Sequence, residues 1–189
     1  MTRGAALPAL ALGLGLAAPA AAEPRLQDVL SAVTLSFGDD GAIDRAVLTQ
    51  GQDGADLAIF RGVPAPGPEA AALKPALAKP GLVFSGQAWG TMPSLSVNGR
   101  GALVIASQND SIGRDRWHMT LTVAFRDGQY RVIGLTRDAR DTLDPAAGSH
   151  CDLNLATGKG TANGRPVTGL APIPLADWSD EKIPKACGG

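Results

Sequence analysis

Two alternating stretches, Arg116 to Arg126 and Gln129 to Arg137, are separated only by Asp127-Gly128, which constrains this chain to a β-hairpin more firmly than any other segment does. Met119, Leu121, Val123 and Phe125 alternate with His118, Thr120 and Thr122, the period-2 pattern of a strand with one apolar face. A type I′ turn needs positive φ at both central residues, and Asp and Gly tolerate it. A loop of this length sets Phe125 opposite Tyr130 and Val123 opposite Val132, all on one face. Counting onward, Ile133 and Leu135 fall on the opposite face. The second strand is therefore expected to be central and covered on both sides.

Strand and turn signals recur on both sides of this hairpin. Val33 to Phe37 alternates, Gly38-Asp39-Asp40-Gly41 is turn chemistry, and Ile43 to Thr49 resumes as a strand. After Gly51-Gln52-Asp53-Gly54 comes a third strand, Asp56 to Arg61, so the opening reads as an antiparallel meander. The spacing of Leu26, Val29, Leu30 and Val33 predicts one short helical turn over 26–32. Residues 62–81 form a Pro/Ala-rich linker, with a short helix expected between Glu69 and Ala78 and limited by Pro75 and Pro80. Further strands are predicted at Leu82 to Gln87, Leu95 to Val97, Ala102 to Ser107 and Cys151 to Ala156. Asn98-Gly99-Arg100-Gly101 turns between the second and third of these. Asp138 to Gly148 reads as a charged loop, Gly158-Lys159-Gly160 as a turn, and 166–189 as an irregular tail. The fold class is mainly β: an antiparallel sandwich, or propeller-blade-like small sheets, with short N-terminal and linker helices.

Residues 1–22 carry Arg3, an apolar run and Ala20-Ala21-Ala22 before Glu23, the layout of a cleaved secretory signal peptide. The mature chain is then a single β-rich domain over 23–189, periplasmic or secreted, with no stable membrane span after cleavage. In an oxidising compartment, Cys151 and Cys187 are expected to form a disulfide that ties the tail to a strand. Of 17 basic residues only Arg3 leaves with the leader; 16 remain against 18 acidic residues, a formal charge of −2. That balance offers no electrostatic footprint for nucleic acid.

Chemistry-bearing residues are few. Asp39, Asp40, Asp44, Asp53 and Asp56 cluster around the first two turns. Their setting, Gly38-Asp39-Asp40-Gly41-Ala42-Ile43-Asp44 and then Asp53-Gly54-Ala55-Asp56-Leu57, resembles a degenerate FG-GAP or VCBS-type repeat. That resemblance implies Ca²⁺ held by those five aspartates, since a hard cation takes six to eight oxygens. Ser36 and Gly38 stand where two ligands would be, and the alternative is a solvated turn with Asx bonding. The order Leu103 to Ser107, then the hairpin to Leu135, then Asp152 to Lys159 is similar to uncharacterised exported bacterial β-rich proteins, which implies a β fold and no activity. His118 lies on the more polar face of its strand, and His150 adjoins Cys151. Neither has the spacing of a zinc pair. No Gly-x-Ser-x-Gly elbow is present.

The mixed charges around the hairpin are read first as exposed ion pairs. A sharper reading is a ligand face, anionic or glycan-binding, made by Arg114, Arg116 and Arg131 with Trp89 and Trp117 as stacking surfaces. The expectation for function is a non-catalytic binding or interaction module for an unknown ligand or envelope protein, with no cofactor. The rivals are a cell-envelope hydrolase using carboxylates such as Asp39, Asp40, Asp44 or Asp115, and a Ca²⁺-stabilised structural protein.

Overall fold

A computed structural model describes Met1 and residues 28–38, 42–62 and 74–187. The leader, Asp39, Asp40 and most of the Pro/Ala-rich linker lie outside the described residues. Two antiparallel sheets stack as a sandwich that does not close into a barrel. The smaller is a meander in the order β1 (Val29–Leu35), β2 (Asp44–Gln50), β3 (Ala55–Phe60), β4 (Leu77–Val83). The larger takes in β5 (Ser94–Val97), β6 (Leu103–Asn109), β7 (Asp115–Arg126), β8 (Gln129–Asp141), β9 (Ser149–Asn154), β10 (Lys159–Ala162) and β11 (Arg165–Thr168). These run in the order β11-β10-β9-β8-β7-β6-β5, and β12 (Ile173–Pro174) pairs with the start of β8.

Alternation explains the packing. Ala46, Leu48, Leu57 and Ile59 of the small sheet and Leu103, Ile105, Leu121, Val123 and Val132 of the large one are fully buried in one contiguous core. The hairpin adopts the expected pairing, Phe125 with Tyr130 and Val123 with Val132, and Asp127 and Gly128 have φ of 51° and 73°. The expected face change beyond Val132 does not occur. Thr122 pairs with Gly134 while Val123 pairs with Val132, so Ile133 is a surplus residue in a β-bulge. Leu135 consequently lies opposite Leu121 and is buried in the core, leaving the other face of β8 uncovered.

Other local expectations are also corrected. Residues 29–32 belong to β1 rather than a helix. A register irregularity between Val29 and Ser31 shifts the alternation there and mimics a helical 3, 4 spacing. Leu77 and Ala78 are strand, not helix, and the residues 69–73 of that predicted helix lie outside the described residues. Pro80 is accommodated because β4 is an edge strand. Asp138 to Asp141 extend β8 instead of opening a loop, because they stay paired with β7. The tail is ordered by β11, β12 and three 3₁₀ turns, with Trp178 buried among them.

Cys151 and Cys187 form a disulfide with Cα atoms 5.4 Å apart, both residues buried. Arg137 Nη1 donates to the Cys187 carbonyl at 2.8 Å, a second tie between β8 and the chain end.

Candidate functional site

Because Trp117, Met119, Leu121 and Val123 turn towards the core, Arg116, His118, Thr120 and Thr122 must face away from it. Register extends this outer face across the sheet. One row runs Ala106, Thr120, Thr136, Asp152, Thr161, and the next runs Gln108, His118, Asp138, His150. A third begins with Arg116 opposite Arg140. No element packs over these rows in the sheet topology of the described residues. At one end the face sinks into a depression of about 720 Å³, bordered by Thr122, Thr136, Asp152, Asn98 and Arg100. Its floor stays low because Gly134 has no side chain; a Cβ there would come within 3.3 Å of Thr122.

The opposite end is charged. His118 Nε2 pairs with Asp110 Oδ2 at 2.8 Å, and Arg140 Nη2 reaches Asp110 Oδ1 at 3.6 Å. Asp110 Oδ1 and Arg116 Nη1 are themselves buried from solvent and make no hydrogen bond. Arg114 Nε donates to Asp141 Oδ2 at 2.6 Å, and Asp141 Oδ1 accepts from the Leu143 amide at 2.8 Å. These bonds, that from Arg114 first, hold the Asp141 carboxyl below its ordinary range. His150 Nδ1 lies 2.5 Å from Asp138 Oδ1, and that hydrogen bond raises the imidazole above its usual value.

Beside this end a tight turn presents Trp89, whose side chain is 90% exposed. The turn is fixed from several directions. Thr91 Oγ1 accepts from the Ala88 amide at 3.0 Å and donates to the Ala88 carbonyl at 2.7 Å, while Ser111 Oγ donates to the Trp89 carbonyl at 2.8 Å. The Asp110 amide donates to the Gly90 carbonyl at 2.8 Å. Gly90 has a φ of 78°, and a Cβ there would lie 3.2 Å from the Asp110 Cβ. A side chain there would be strained and would press on Asp110.

The residues singled out from sequence are therefore dispersed. Trp89, Arg114 and Arg116 come to one end of the large sheet. Trp117 points inward, half-buried against the core, and meets Phe84 edge-on with ring centroids 5.6 Å apart. Arg131 lies at the other end of β8, opposite Ala124 and Pro174, with its Nε buried and unbonded. Sequence reasoning missed Asp110, and it placed Asp138 and Arg140 only among the mixed charges around the hairpin, in an expected loop. The signal was present in the alternation of Thr136, Asp138 and Arg140, which continues the strand beyond Arg137.

Of the acidic residues near the N-terminus, Asp44, Asp53 and Asp56 are described. Asp44 is fully buried; Oδ2 accepts from the Phe37 amide and Oδ1 from the Gly62 amide, both at 2.9 Å, and Arg61 Nε stands 3.1 Å from Oδ1. The Arg61 guanidinium in turn sits 4.7 Å over the Phe125 ring, joining the two sheets. Asp56 Oδ1 accepts from the Gly81 amide at 2.7 Å. Asp44 begins β2 while Asp56 lies opposite Thr49 near its end, so the strand's length separates them. Asp53 is exposed in the turn between, and Asp115 is exposed at the start of β7. Among the described residues no three His, Cys, Asp or Glu side chains gather as metal ligands, and no helix is long and apolar enough to cross a membrane. Comparison with protein-family models, with curated proteins and with solved structures finds no match.

Proposed function

We propose that this chain is an exported, non-catalytic binding module whose ligand-facing surface is the Trp89 end of the outer face of the large sheet. The observation that carries this is the fully exposed indole of Trp89 on a turn held by four hydrogen bonds. A large apolar ring kept in water on a rigid mount is preorganised for contact, so binding need not order it first. The leader-like segment over 1–22 and the Cys151–Cys187 disulfide support an extracytoplasmic location. A non-catalytic role is favoured because Asp44, a carboxylate the hydrolase reading relies on, has both oxygens engaged by backbone amides.

The test is co-sedimentation of the mature protein with isolated cell-envelope fractions, comparing wild type with Trp89→Ala. Wild type is expected in the pellet and the variant in the supernatant, with equal melting temperatures. Equal pelleting of the two proteins, absence of wild type from every pellet, or breakdown of the envelope material would overturn the proposal.

A further inference from the structure

We infer that the loops at the Trp89 end of the large sheet form a docking surface for a lipid bilayer, which Trp89, Met92, Ile112 and Leu143 enter at the headgroup level. This rests on the reading of that end as the binding surface and adds the class of partner. Three loops meet there. Residues 84–93 lead into β5, 110–114 join β6 to β7, and 142–148 join β8 to β9. Register brings them to one end, because Ser94 lies opposite Ala106, Asn109 opposite Trp117 and Asp115 opposite Asp141. They are also bonded to one another: Ser111 Oγ donates to the Trp89 carbonyl, and the Thr142 amide donates to the Arg114 carbonyl at 3.0 Å. The Ile112 side chain lies over Gly86, where a Cβ would come within 2.9 Å of its Cδ1. Each loop holds an apolar side chain in water: Leu143 is 77% exposed, and Met92 and Ile112 are 42% and 47% exposed beside the indole. Large apolar side chains gathered at one end mark an interaction surface.

What the loops have already satisfied decides the partner. The Ile112 amide donates to Asn109 Oδ1 at 2.9 Å, and its carbonyl accepts from Asn109 Nδ2 at 2.8 Å. The Leu143 amide donates to Asp141 Oδ1, and the carbonyls of Ala88, Trp89 and Gly90 accept from Thr91, Ser111 and the Asp110 amide. A glycan or a peptide is held by directional hydrogen bonds, and these engaged groups have little left to offer one. A bilayer asks the reverse. A backbone group carried out of water without a partner is heavily penalised, whereas one already bonded is not. Tryptophan itself favours the membrane–water interface, where the ring is buried and the N–H stays wet. Charge then selects between bilayers. Arg114 is paired with Asp141, and Arg140 and His118 with Asp110, while Asp115 and Asp144 outnumber the remaining Arg116. With no cationic surplus, the surface fits a zwitterionic bilayer and gains nothing from an anionic one.

The experiment is flotation of the intact mature protein with vesicles of phosphatidylcholine and phosphatidylethanolamine, with tryptophan emission followed in parallel. Wild type is expected to float and its emission to shift to the blue, at low salt and at ~1 M salt alike, since screening leaves apolar burial in place. Trp89→Ala should weaken partitioning by about tenfold or more, equivalent to ~1.4 kcal/mol. Leu143→Ser, on a different loop, should weaken it as well. Val97→Ser, an exposed position at the opposite end of β5, should not, and all three variants should melt as wild type does. No flotation of wild type, flotation only with anionic phosphatidylglycerol vesicles, or unaltered partitioning of Trp89→Ala or Leu143→Ser would overturn the inference. Trp89-dependent pelleting with envelope material but no flotation would overturn the bilayer assignment alone, whereas failure of both would overturn the binding surface too.

Discussion

Replacing Asp44 with alanine strips the acceptor from two backbone donors at once. The Phe37 and Gly62 amides are each bonded to it at 2.9 Å, and the carboxylate itself is fully buried. Leaving a buried donor unpaired costs about 1–3 kcal/mol. Phe37 and Gly62 are half-buried, so water will recover part of that loss. The expected destabilisation from the two amides is ~2–4 kcal/mol, and loss of the Arg61 ion pair acts in the same direction. For a domain of this length each kcal/mol moves the midpoint by about 2–4 °C, giving a fall of roughly 5–15 °C. Asp44→Asn keeps one acceptor oxygen and should lose about half as much. Urea unfolding followed by tryptophan emission measures both variants, and an unchanged m-value confirms that stability alone has moved. The reasoning is refuted if Asp44→Ala lies within ~0.5 kcal/mol of wild type. It is equally refuted if wild type needs calcium for the difference to appear, because Asp44 would then be acting as a metal ligand.

Two further outcomes follow from the geometry of the large sheet. The His150 imidazole should titrate above its ordinary value of 6.5, because its hydrogen bond to Asp138 favours the protonated ring. The sign follows: the pair's contribution to stability is complete below the unfolded value and disappears as pH rises through the higher folded one. An NMR titration of the ring proton checks this, and Asp138→Asn should return His150 to the ordinary range; equal midpoints in the two proteins would contradict it. Breaking the Cys151–Cys187 link, which closes a 36-residue separation, should cost ~4 kcal/mol by loop entropy. Cys187→Ser should therefore melt earlier and shift Trp178 emission to the red as the tail loosens, whereas an unaltered melt would mean that other contacts hold the tail.

Much of this architecture was legible before any coordinates. Asp127-Gly128 between alternating runs specifies its hairpin, because turn chemistry and strand period agree. Asn98-Gly99-Arg100-Gly101 does the same between β5 and β6, where the Asn98 amide bonds to the Ala102 carbonyl at 3.0 Å. Reading failed where one residue more or less changes the count. The surplus at Ile133 hid the true orientation of Leu135, and the irregularity between Val29 and Ser31 passed for a helical period. The ligand face was legible only in part. Exposure of Trp89 and burial of Trp117 depend on which side of a sheet each takes and on what packs there, and local pattern carries neither. Asp44 shows the same limit: its role as the acceptor for amides 7 and 18 residues away cannot be read from the local turn pattern.

The extra residue at Ile133 has a consequence for assembly as well as for shape. Val132 and Leu135 both reach the interior although an odd number of peptide units separates them. Were the long ribbon to zip up in a slipped alignment beyond that point, Leu135 would be expelled into water while Thr136, Asp138 and Arg140 were driven inside. Misaligned assembly is thus penalised by the same side chains that solvate the finished surface, and the charges flanking Trp89 act as proofreaders of strand pairing.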